Sequence, residues 1–334
     1  MPVPWRAGPL RRAPVVATLV GLLAAALWAG VVSSGRPLPS AGSARDPAGW
    51  AFRDDLGQRV RLPAPPRRIA CSGQDLCDLA RALLGEGAVT ELPAGMEEQH
   101  LRRRAADLVL LPAVTRQPGL ARRLRARGWP AATLVWTDVE GLPAAALRLA
   151  GWVNRRDRGQ ELAATYARRL ARIEAALATV PSSQRPPVLV LAWDRPPVWA
   201  GPGSPPATLV ERAGGRMAPG HGRDPTPARS RGGWVHLLRR GTGLAGPGAW
   251  LAGEERWRRS HWPASTRVVT PLLRPMVPPG GPPAATALYL PPDQLLGAGP
   301  QALDGLERLA AWLHPDRVDA SDAPLRMVPL SVMD

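Results

Sequence analysis

Short apolar runs alternate with amphipathic stretches from Trp50 onwards, and this alternation predicts strands that alternate with helices. Val60 and Leu62 alternate with arginines just after a turn at residues 55–57, a pattern that predicts a hairpin of two edge strands. The prolines within residues 63–66 end the hairpin, because proline donates no ladder hydrogen bond.

A short strand and a helix follow the hairpin. Residues 68–71 are mostly apolar and predict a strand, which Gly73 interrupts. Apolar side chains then recur at helical spacing between Leu76 and Leu83. Asp75 stands just before this repeat, where its carboxylate predicts the N-cap of the helix.

The alternation continues through the first half of the chain. Residues 107–111 and 131–136 predict two further strands, and Pro112 ends the first of them. Apolar positions at helical spacing predict helices at residues 118–126 and 141–153. Strands that alternate with helices of this length pair in parallel, with the helices as crossovers.

The longest helical pattern covers residues 155–180. One apolar stripe runs along it at spacings of three or four residues, formed by Leu162, Tyr166, Leu170, Ile173 and Leu177. A helix of this size is roughly 35–40 Å long at 1.5 Å per residue. The pattern therefore predicts a stiff strut between two lobes.

A second set of strands and helices follows the strut. Its elements are a strand at 187–193, a turn at 194–197, a lead into a helix at 198–204, strands at 267–269 and 287–290, and a last helix at 299–313. The chain of 334 residues is long enough for two such lobes.

The N-terminus has the pattern of an export signal. Arg6, Arg11 and Arg12 precede an uncharged, largely apolar run at residues 13–32. Small residues at 41–44 offer a cleavage site, and the alternative is an uncleaved membrane anchor, since the run is close to the length that spans a bilayer. Residues 33–49 are rich in Ser, Gly, Pro and Ala and predict a flexible tether.

Composition adds a strong positive charge but no nucleic-acid motif. The formal net charge is +16, and all 43 basic residues are arginines. These arginines are spread along the whole chain and fall on predicted amphipathic helices, which favours solvated surfaces over a nucleic-acid interface. We therefore expect no nucleic-acid partner.

Cysteines and histidines limit the chemistry further. Cys71 and Cys77 are six residues apart at a strand end and a first helical turn, so they form either a disulfide or two buried thiols. The five histidines are scattered without the paired spacing of a zinc or manganese site. We expect neither a bound metal ion nor a resident cofactor.

The order of these motifs resembles the class III periplasmic substrate-binding proteins of ABC importers. The resemblance rests on the opening at residues 54–69, a Gly-Pro-Gly-Ser turn at 201–204 before a helix that ends in Gly-Gly, and a final helix with His314-Pro315. It implies an α/β fold of two Rossmann-like lobes joined by one long helix. The implied divisions are a signal or anchor with its tether at 1–49, a first lobe at 50–153, the connecting helix at 154–181 and a second lobe at 182–334.

The resemblance also implies a function without covalent chemistry. Members of the family capture cobalamin, haem or ferric siderophores between their lobes and deliver them to an ABC importer permease. Permease docking in the family uses an acidic residue on each lobe, which Glu97 or Glu98 matches in the first lobe. The second lobe lacks its Glu, for which Glu254 or Glu255 either substitutes or is only a solvated charge, and residues 217–265 depart from the family pattern. The alternative is a membrane-anchored accessory or sensor protein that keeps the fold but has no transport role.

Ligand contacts are expected in the loops that follow the strands, where open α/β sheets bind their ligands. The candidates are Ser72, Gly73, Gln74, Trp136, Trp193, Asp194, Trp199 and Arg274. Tryptophan offers a broad apolar face, and arginine pairs with carboxylates. Tyr289 or a histidine would be the axial ligand if the ligand is haem. An exported hydrolase is disfavoured, since residues 201–204 do not form the Gly-x-Ser-x-Gly motif.

Overall fold

A computed structural model describes residues 44–46, 49–92, 101, 106–112, 119–194, 197–201, 204–218, 250–252, 265–277, 284–319 and 325–332. The stretch Ser43–Asp334 forms one compact unit. The apolar run at 13–32 and the acidic pair Glu97 and Glu98 lie outside the described residues. Among those that are described, no helix is both long and apolar enough to cross a membrane.

The predicted hairpin is the core of a three-stranded antiparallel sheet. Its strands are β1 (Ala44–Asp46), β2 (Gly49–Arg53) and β3 (Arg59–Leu62). Strand β1 pairs with β2, so the prediction of a flexible tether was wrong for residues 44–46. The buried carboxylate of Asp54 accepts hydrogen bonds from the backbone N–H of Gln58 at 2.8 Å and of Thr133 at 3.1 Å. The side chain of Asp54 therefore shapes the turn and also binds the hairpin to the strand that contains Thr133.

The first lobe is a four-stranded parallel sheet with helical crossovers. Its elements are β4 (Ile69–Cys71), α1 (Gln74–Leu84), β5 (Val89–Glu91), β6 (Leu108–Pro112), α2 (Leu120–Ala126), β7 (Ala131–Leu134) and α3 (Leu142–Trp152). The strand order is β5-β4-β6-β7, and every pair is parallel. The short edge strand β5 is an addition to the predicted elements.

The connecting helix α4 (Arg156–Leu177) has 22 residues and carries the predicted stripe. Burial raises the pKa of Tyr166, in the middle of that stripe, to about 12. Arg169 lies beside this stripe and pairs with Asp304 and Glu307 of the second lobe. Its hydrogen bond to Glu307 raises the pKa of the guanidinium further above its usual range. The helix is therefore held to the second lobe by both apolar and ionic contacts.

The second lobe is built on a mixed seven-stranded sheet of order β11-β9-β8-β12-β14-β15, with β10 paired to β8. Its elements are β8 (Pro187–Asp194), β9 (Pro197–Ala200), α5 (Pro205–Arg212), β10 (Arg216–Met217), β11 (Trp250–Ala252), β12 (Arg267–Thr270), β13 (Met276–Val277), β14 (Thr286–Tyr289), α6 (Pro292–Leu295), α7 (Pro300–Leu313), β15 (Arg326–Pro329) and β16 (Ser331–Val332). Strands β8, β12 and β14 are parallel neighbours.

Several strands of this lobe were not predicted from the sequence, among them β10, β11 and β13. The expected lead into a helix at 198–204 begins instead with β9, which pairs antiparallel with β8. Strands β15 and β16 had no counterpart in the predicted elements, and they pair with β14 and β13. In both places a strand exists because a neighbouring strand offers free backbone groups, which apolar periodicity does not reveal.

One large hydrophobic cluster runs through both lobes. It contains Leu79 and Leu142 of the first lobe, Ile173 of the connecting helix, and Leu209 and Leu303 of the second lobe. A separate cluster lies on one face of the second sheet and includes Trp199. The two lobes are thus packed against each other over a shared apolar surface.

Candidate functional site

The strand ends of the two sheets position the candidate ligand residues. Strands β4, β6 and β7 are parallel, so they end at one edge of the first sheet, and the loops that follow carry Ser72 and Trp136. Strands β8, β12 and β14 end in the same way at Asp194, Thr270 and Tyr289. Ligands of open α/β sheets bind outside such carboxyl ends.

The loop after β4 is tightly held by its own backbone. Ser72 donates its N–H to the carbonyl of Leu110 at 3.0 Å. Gly73 has φ +96°, a left-handed conformation that favours glycine, and it is the N-cap residue of α1. Gln74 is exposed and donates from its amide to the carboxylate of Asp78 at 3.1 Å. Of these three candidates, Gln74 has the most side-chain surface available for a ligand.

A disulfide spans this loop. Cys71 at the end of β4 and Cys77 in α1 are bonded, with 5.4 Å between their Cα atoms. Both residues are fully buried. The bond ties the first turn of α1 to the central strand of the first sheet.

Asp75 has a different role from the one expected of it. It lies inside the first turn of α1, after the N-cap Gly73, and makes no capping hydrogen bond. Its carboxylate Oδ2 instead accepts the backbone N–H of Ala298, between α6 and α7, at 2.9 Å. Burial is the main cause that raises the pKa of Asp75, against the hydrogen bonds from Ala298 and Gly299, which lower it. The N-cap prediction was wrong.

Trp136 reaches the same point of the second lobe. Its side chain is partly buried, and its indole Nε1 donates to the carbonyl oxygen of Ala298 at 2.8 Å. The polar end of the ring is therefore occupied by the protein. Only the exposed part of the ring remains for a ligand.

One of the two candidate tryptophans of the second lobe is buried. Trp199 on β9 is 1% exposed and packs among the aliphatic side chains of the second cluster. It belongs to the core and presents no surface to a ligand, so its assignment to the binding site has to be withdrawn. Trp193 and Asp194 end β8, but their side chains lie outside the described part of the chain.

Arg274 is presented on a turn after β12. The hydroxyl of Thr270 donates to the carbonyl of Leu191 at 2.8 Å and accepts the N–H of Leu272 at 3.1 Å, which fixes this turn. The side chain of Arg274 is exposed, and no described residue forms an ion pair with it. A carboxylate or phosphate on a ligand would be a natural partner.

A second cation at this sheet edge was not expected from the sequence. Arg326 on β15 is opposite Tyr289 in the β14–β15 ladder, and its guanidinium lies 5.1 Å from the centre of the tyrosine ring. Tyr289 is partly exposed and ends a strand that neighbours β12. The sequence carried no signal for this pair, since β15 itself was not predicted.

Two cavities of about 420 and 410 Å³ lie away from these residues. The larger is lined by side chains of α4 and α5 with Glu140 and Arg185, and the smaller by residues of the first lobe around Pro65 and Asn154. Within the described ranges no group of three His, Cys, Asp or Glu side chains could hold a metal ion. His314, the described histidine, instead forms a hydrogen bond with the carbonyl of Gly214 at 3.0 Å.

No family model matches the chain, and no curated protein matches it by sequence. Solved structures do match its fold. A periplasmic haem-binding protein from Pseudomonas aeruginosa is similar with a TM-score of 0.55 at 20% identity, over 79% of this chain and 98% of that one. The vitamin B12-binding protein BtuF of Vibrio cholerae gives 0.53 at 13% identity, over 75% and 98%.

A third similar structure binds a much smaller ligand. The molybdate-binding protein MolA of a Haemophilus influenzae ABC transporter, solved with molybdate, gives a TM-score of 0.54 at 14% identity, over 81% of this chain and 93% of that one. These likenesses show that this chain has the fold of the class III periplasmic binding proteins, two α/β lobes joined by one long helix, as the sequence resemblance implied.

Proposed function

We propose that this protein is an extracytoplasmic solute-binding protein that captures a bulky metal-chelate nutrient between its lobes and delivers it to an ABC importer. The ligand classes are cobalamin, a ferric siderophore and haem. The observation that carries the proposal is the fold, because proteins similar to it over nearly their whole length are named for binding haem and vitamin B12. The chain would bind such a ligand and leave it chemically unchanged.

The side chains at the two sheet edges support a large, partly aromatic and anionic ligand. Trp136 and Tyr289 offer ring surface, and Arg274 and Arg326 offer positive charge. Haem and corrins combine broad planar rings with carboxylate or amide groups, and ferric siderophores are commonly anionic. Tyr289 or a histidine is the candidate axial ligand for haem, since Tyr166 is buried in the lobe-connecting helix.

A direct titration tests ligand capture. The purified chain would be titrated with haem, cobalamin, a panel of ferric siderophores and molybdate, with tryptophan emission and ligand absorbance recorded together. Free N-acetyl-tryptophanamide is the control for the light that each ligand absorbs. Saturable quenching by one chelate at micromolar concentration or below supports the proposal and names the ligand class. Saturation by molybdate alone would mean that the ligand is a small oxyanion and that the proposed chelate ligand is wrong.

Delivery to a permease needs a separate test. Glu97 and Glu98 are the candidate docking residues of the first lobe, so replacing both with Ala should abolish ligand uptake by cells while the purified variant still binds ligand. Unchanged uptake would contradict docking through this pair. A folded protein that binds none of the chelates would favour the anchored accessory or sensor protein, with residues 13–32 as its anchor.

A further inference from the structure

Side chains of the first lobe bind both backbone polar groups of Ala298, its N–H and its carbonyl oxygen. Asp75 accepts from its N–H at 2.9 Å, and Trp136 donates to its carbonyl at 2.8 Å. These partners are 223 and 162 residues away along the chain. Ala298 itself is 8% exposed, so water has little access to compete for either hydrogen bond. We call this arrangement of Asp75, Trp136 and Ala298 the latch.

The second lobe is shaped to receive Asp75. A Cβ atom on Gly297 would lie 2.5 Å from Oδ1 of Asp75, and a Cβ on Gly299 would lie 2.7 Å from the same oxygen. Neither glycine has a positive φ, so the need here is for space. Glycines on both sides of Ala298 allow the backbone to approach the carboxylate closely.

The first lobe is shaped to present both side chains. Asp75 lies within the loop and first helical turn that the Cys71–Cys77 disulfide closes. Trp136 follows β7 directly, and a Cβ on Gly141 would lie 3.1 Å from the Cβ of Trp136. Both latch residues therefore adjoin the loops of the candidate ligand site. The disulfide restrains Asp75, and the close packing of Gly141 restrains Trp136.

Other polar contacts between the lobes are weaker candidates for setting their separation. Glu140 of the first lobe pairs with Arg212 of the second, but both side chains are nearly half exposed, at 44% and 46%. Exposed ion pairs contribute little net stability. Hydrogen bonds that are shielded from water, such as the one between Asp75 and Ala298, contribute more. Arg169 binds the second lobe from the connecting helix and does not touch the ligand loops.

We propose that Asp75 and Trp136 are positioning residues that hold the backbone of Ala298 and thereby fix the separation of the two lobes at the ligand site. The latch is a property of the chain without ligand. Its effect on ligand affinity rests on the function proposed above. A pre-set separation lowers the cost of ordering the site when the ligand binds.

The test compares four variants of the intact chain. Asp75→Ala removes the acceptor, and Trp136→Phe removes the donor while keeping a ring. Asp75→Asn keeps an oxygen acceptor and is the rescue variant. Asp293→Ala is the charge control, because it removes a carboxylate whose negative charge acts on Asp75 but leaves both latch hydrogen bonds in place.

Two measurements report on the latch without any ligand. Spin labels on Ala126→Cys in the first lobe and Ala285→Cys in the second, both exposed positions, give the distance between lobes. Cys71 and Cys77 are bonded to each other and do not take label. Hydrogen exchange of a peptide that covers residues 297–300 reports on the two amides bound by Asp75.

We expect Asp75→Ala and Trp136→Phe each to broaden or lengthen the label distance. Asp75→Ala should also speed exchange of the Ala298 amide by roughly ten- to a hundredfold, the equivalent of leaving one buried donor without its acceptor. Asp75→Asn and Asp293→Ala should keep the wild-type distance. If Asp75→Ala does not fold, Trp136→Phe alone decides the test.

An unchanged label distance in the folded variants would overturn the proposal, even with faster exchange, because the bonds would then be only local. If a chelate binds the wild type, its affinity should fall in Asp75→Ala and recover in Asp75→Asn. A changed distance in a chain that binds no ligand would support the latch while contradicting the proposed function. The two proposals can therefore fail separately.

Discussion

Phe52 stacks on Trp152 with 5.0 Å between the ring centroids and 14° between the ring planes. Two residues earlier, the indole of Trp50 donates to the carbonyl oxygen of Trp152 at 2.7 Å. The edge hairpin and the end of α3 are thus joined by one aromatic contact and one buried hydrogen bond. Both rings of the stack are buried, so the hairpin is part of the first lobe's core.

Replacing Phe52 with Ala should destabilise the protein strongly, because the cavity left against Trp152 lies in a packed core. We expect a loss of about 3–5 kcal/mol in the free energy of unfolding. Phe52→Leu is the control that keeps most of the side-chain volume, and its loss should be clearly smaller. Guanidinium unfolding followed by circular dichroism measures both. Equal midpoints for Phe52→Ala and the wild type would mean that the hairpin unfolds separately.

Reducing the disulfide should lower stability, since the bond limits the freedom of the unfolded chain. A loop of this length predicts a loss of about 2 kcal/mol. Unfolding midpoints with and without reductant measure the effect, and thiol titration confirms that reduction is complete. The double variant Cys71→Ala/Cys77→Ala should not respond to reductant. A fully reduced wild type with an unchanged midpoint would contradict the prediction.

Asp75 predicts a pH dependence whose sign follows from its burial. Its pKa is raised in the folded state, so the folded chain holds this proton more tightly than the unfolded chain. The contribution of Asp75 to stability is therefore greatest below the usual pKa and falls as the pH rises through the raised value. Asp75→Asn removes this titration and keeps an acceptor for Ala298.

Urea unfolding of the wild type and Asp75→Asn at several pH values isolates this effect. The stability of the variant relative to the wild type should be greatest at neutral pH and should shrink as the pH falls. Carboxylates that do not interact with Asp75 contribute equally to both proteins and cancel, whereas the charges of Asp78 and Asp293 act on Asp75 in the wild type and add to the difference. A difference that grows as the pH falls would mean that the charged form of Asp75 is the favoured one in the folded state.

Arg274 should contribute to the binding of an anionic ligand. Its exposed guanidinium follows β12 on a turn fixed by Thr270, so Arg274→Ala removes charge with little effect on packing. We expect affinity for a carboxylate-bearing chelate to fall about three- to tenfold, with a weaker dependence on salt. Arg122→Ala, an exposed arginine on α2, is the control. Equal affinities in the two variants would mean that Arg274 does not contribute to ligand binding.

The sequence predicted those parts of the fold whose signal is local. The stripe from Leu162 to Leu177 matches α4, and the alternating runs of the first half match the parallel sheet. Strands β9 and β15 escaped prediction, because each is short and is stabilised by a partner strand elsewhere in the sheet. Apolar periodicity is weak over four residues.

The candidate site was predicted less well, for a related physical reason. The loop positions after β4 and β7 follow from strand order, so Gln74 and Trp136 lie at the expected edge. Side-chain partners do not follow from strand order. Asp75 has the chemistry of an N-cap, yet its partner Ala298 is 223 residues away. The side chain of Trp199 lies on the core face of its strand. The pairing register with the neighbouring strand determines this face, and the register cannot be read from the local sequence.

The apolar cluster that runs through both lobes makes them interdependent in folding. Leu79, Ile173 and Leu303 belong to one cluster although they come from three successive parts of the chain. A lobe expressed alone would expose the surface that its partner covers and would tend to aggregate. Chimeras that exchange one lobe with a relative would therefore need a matched interface, and heat should melt the two lobes in a single cooperative transition.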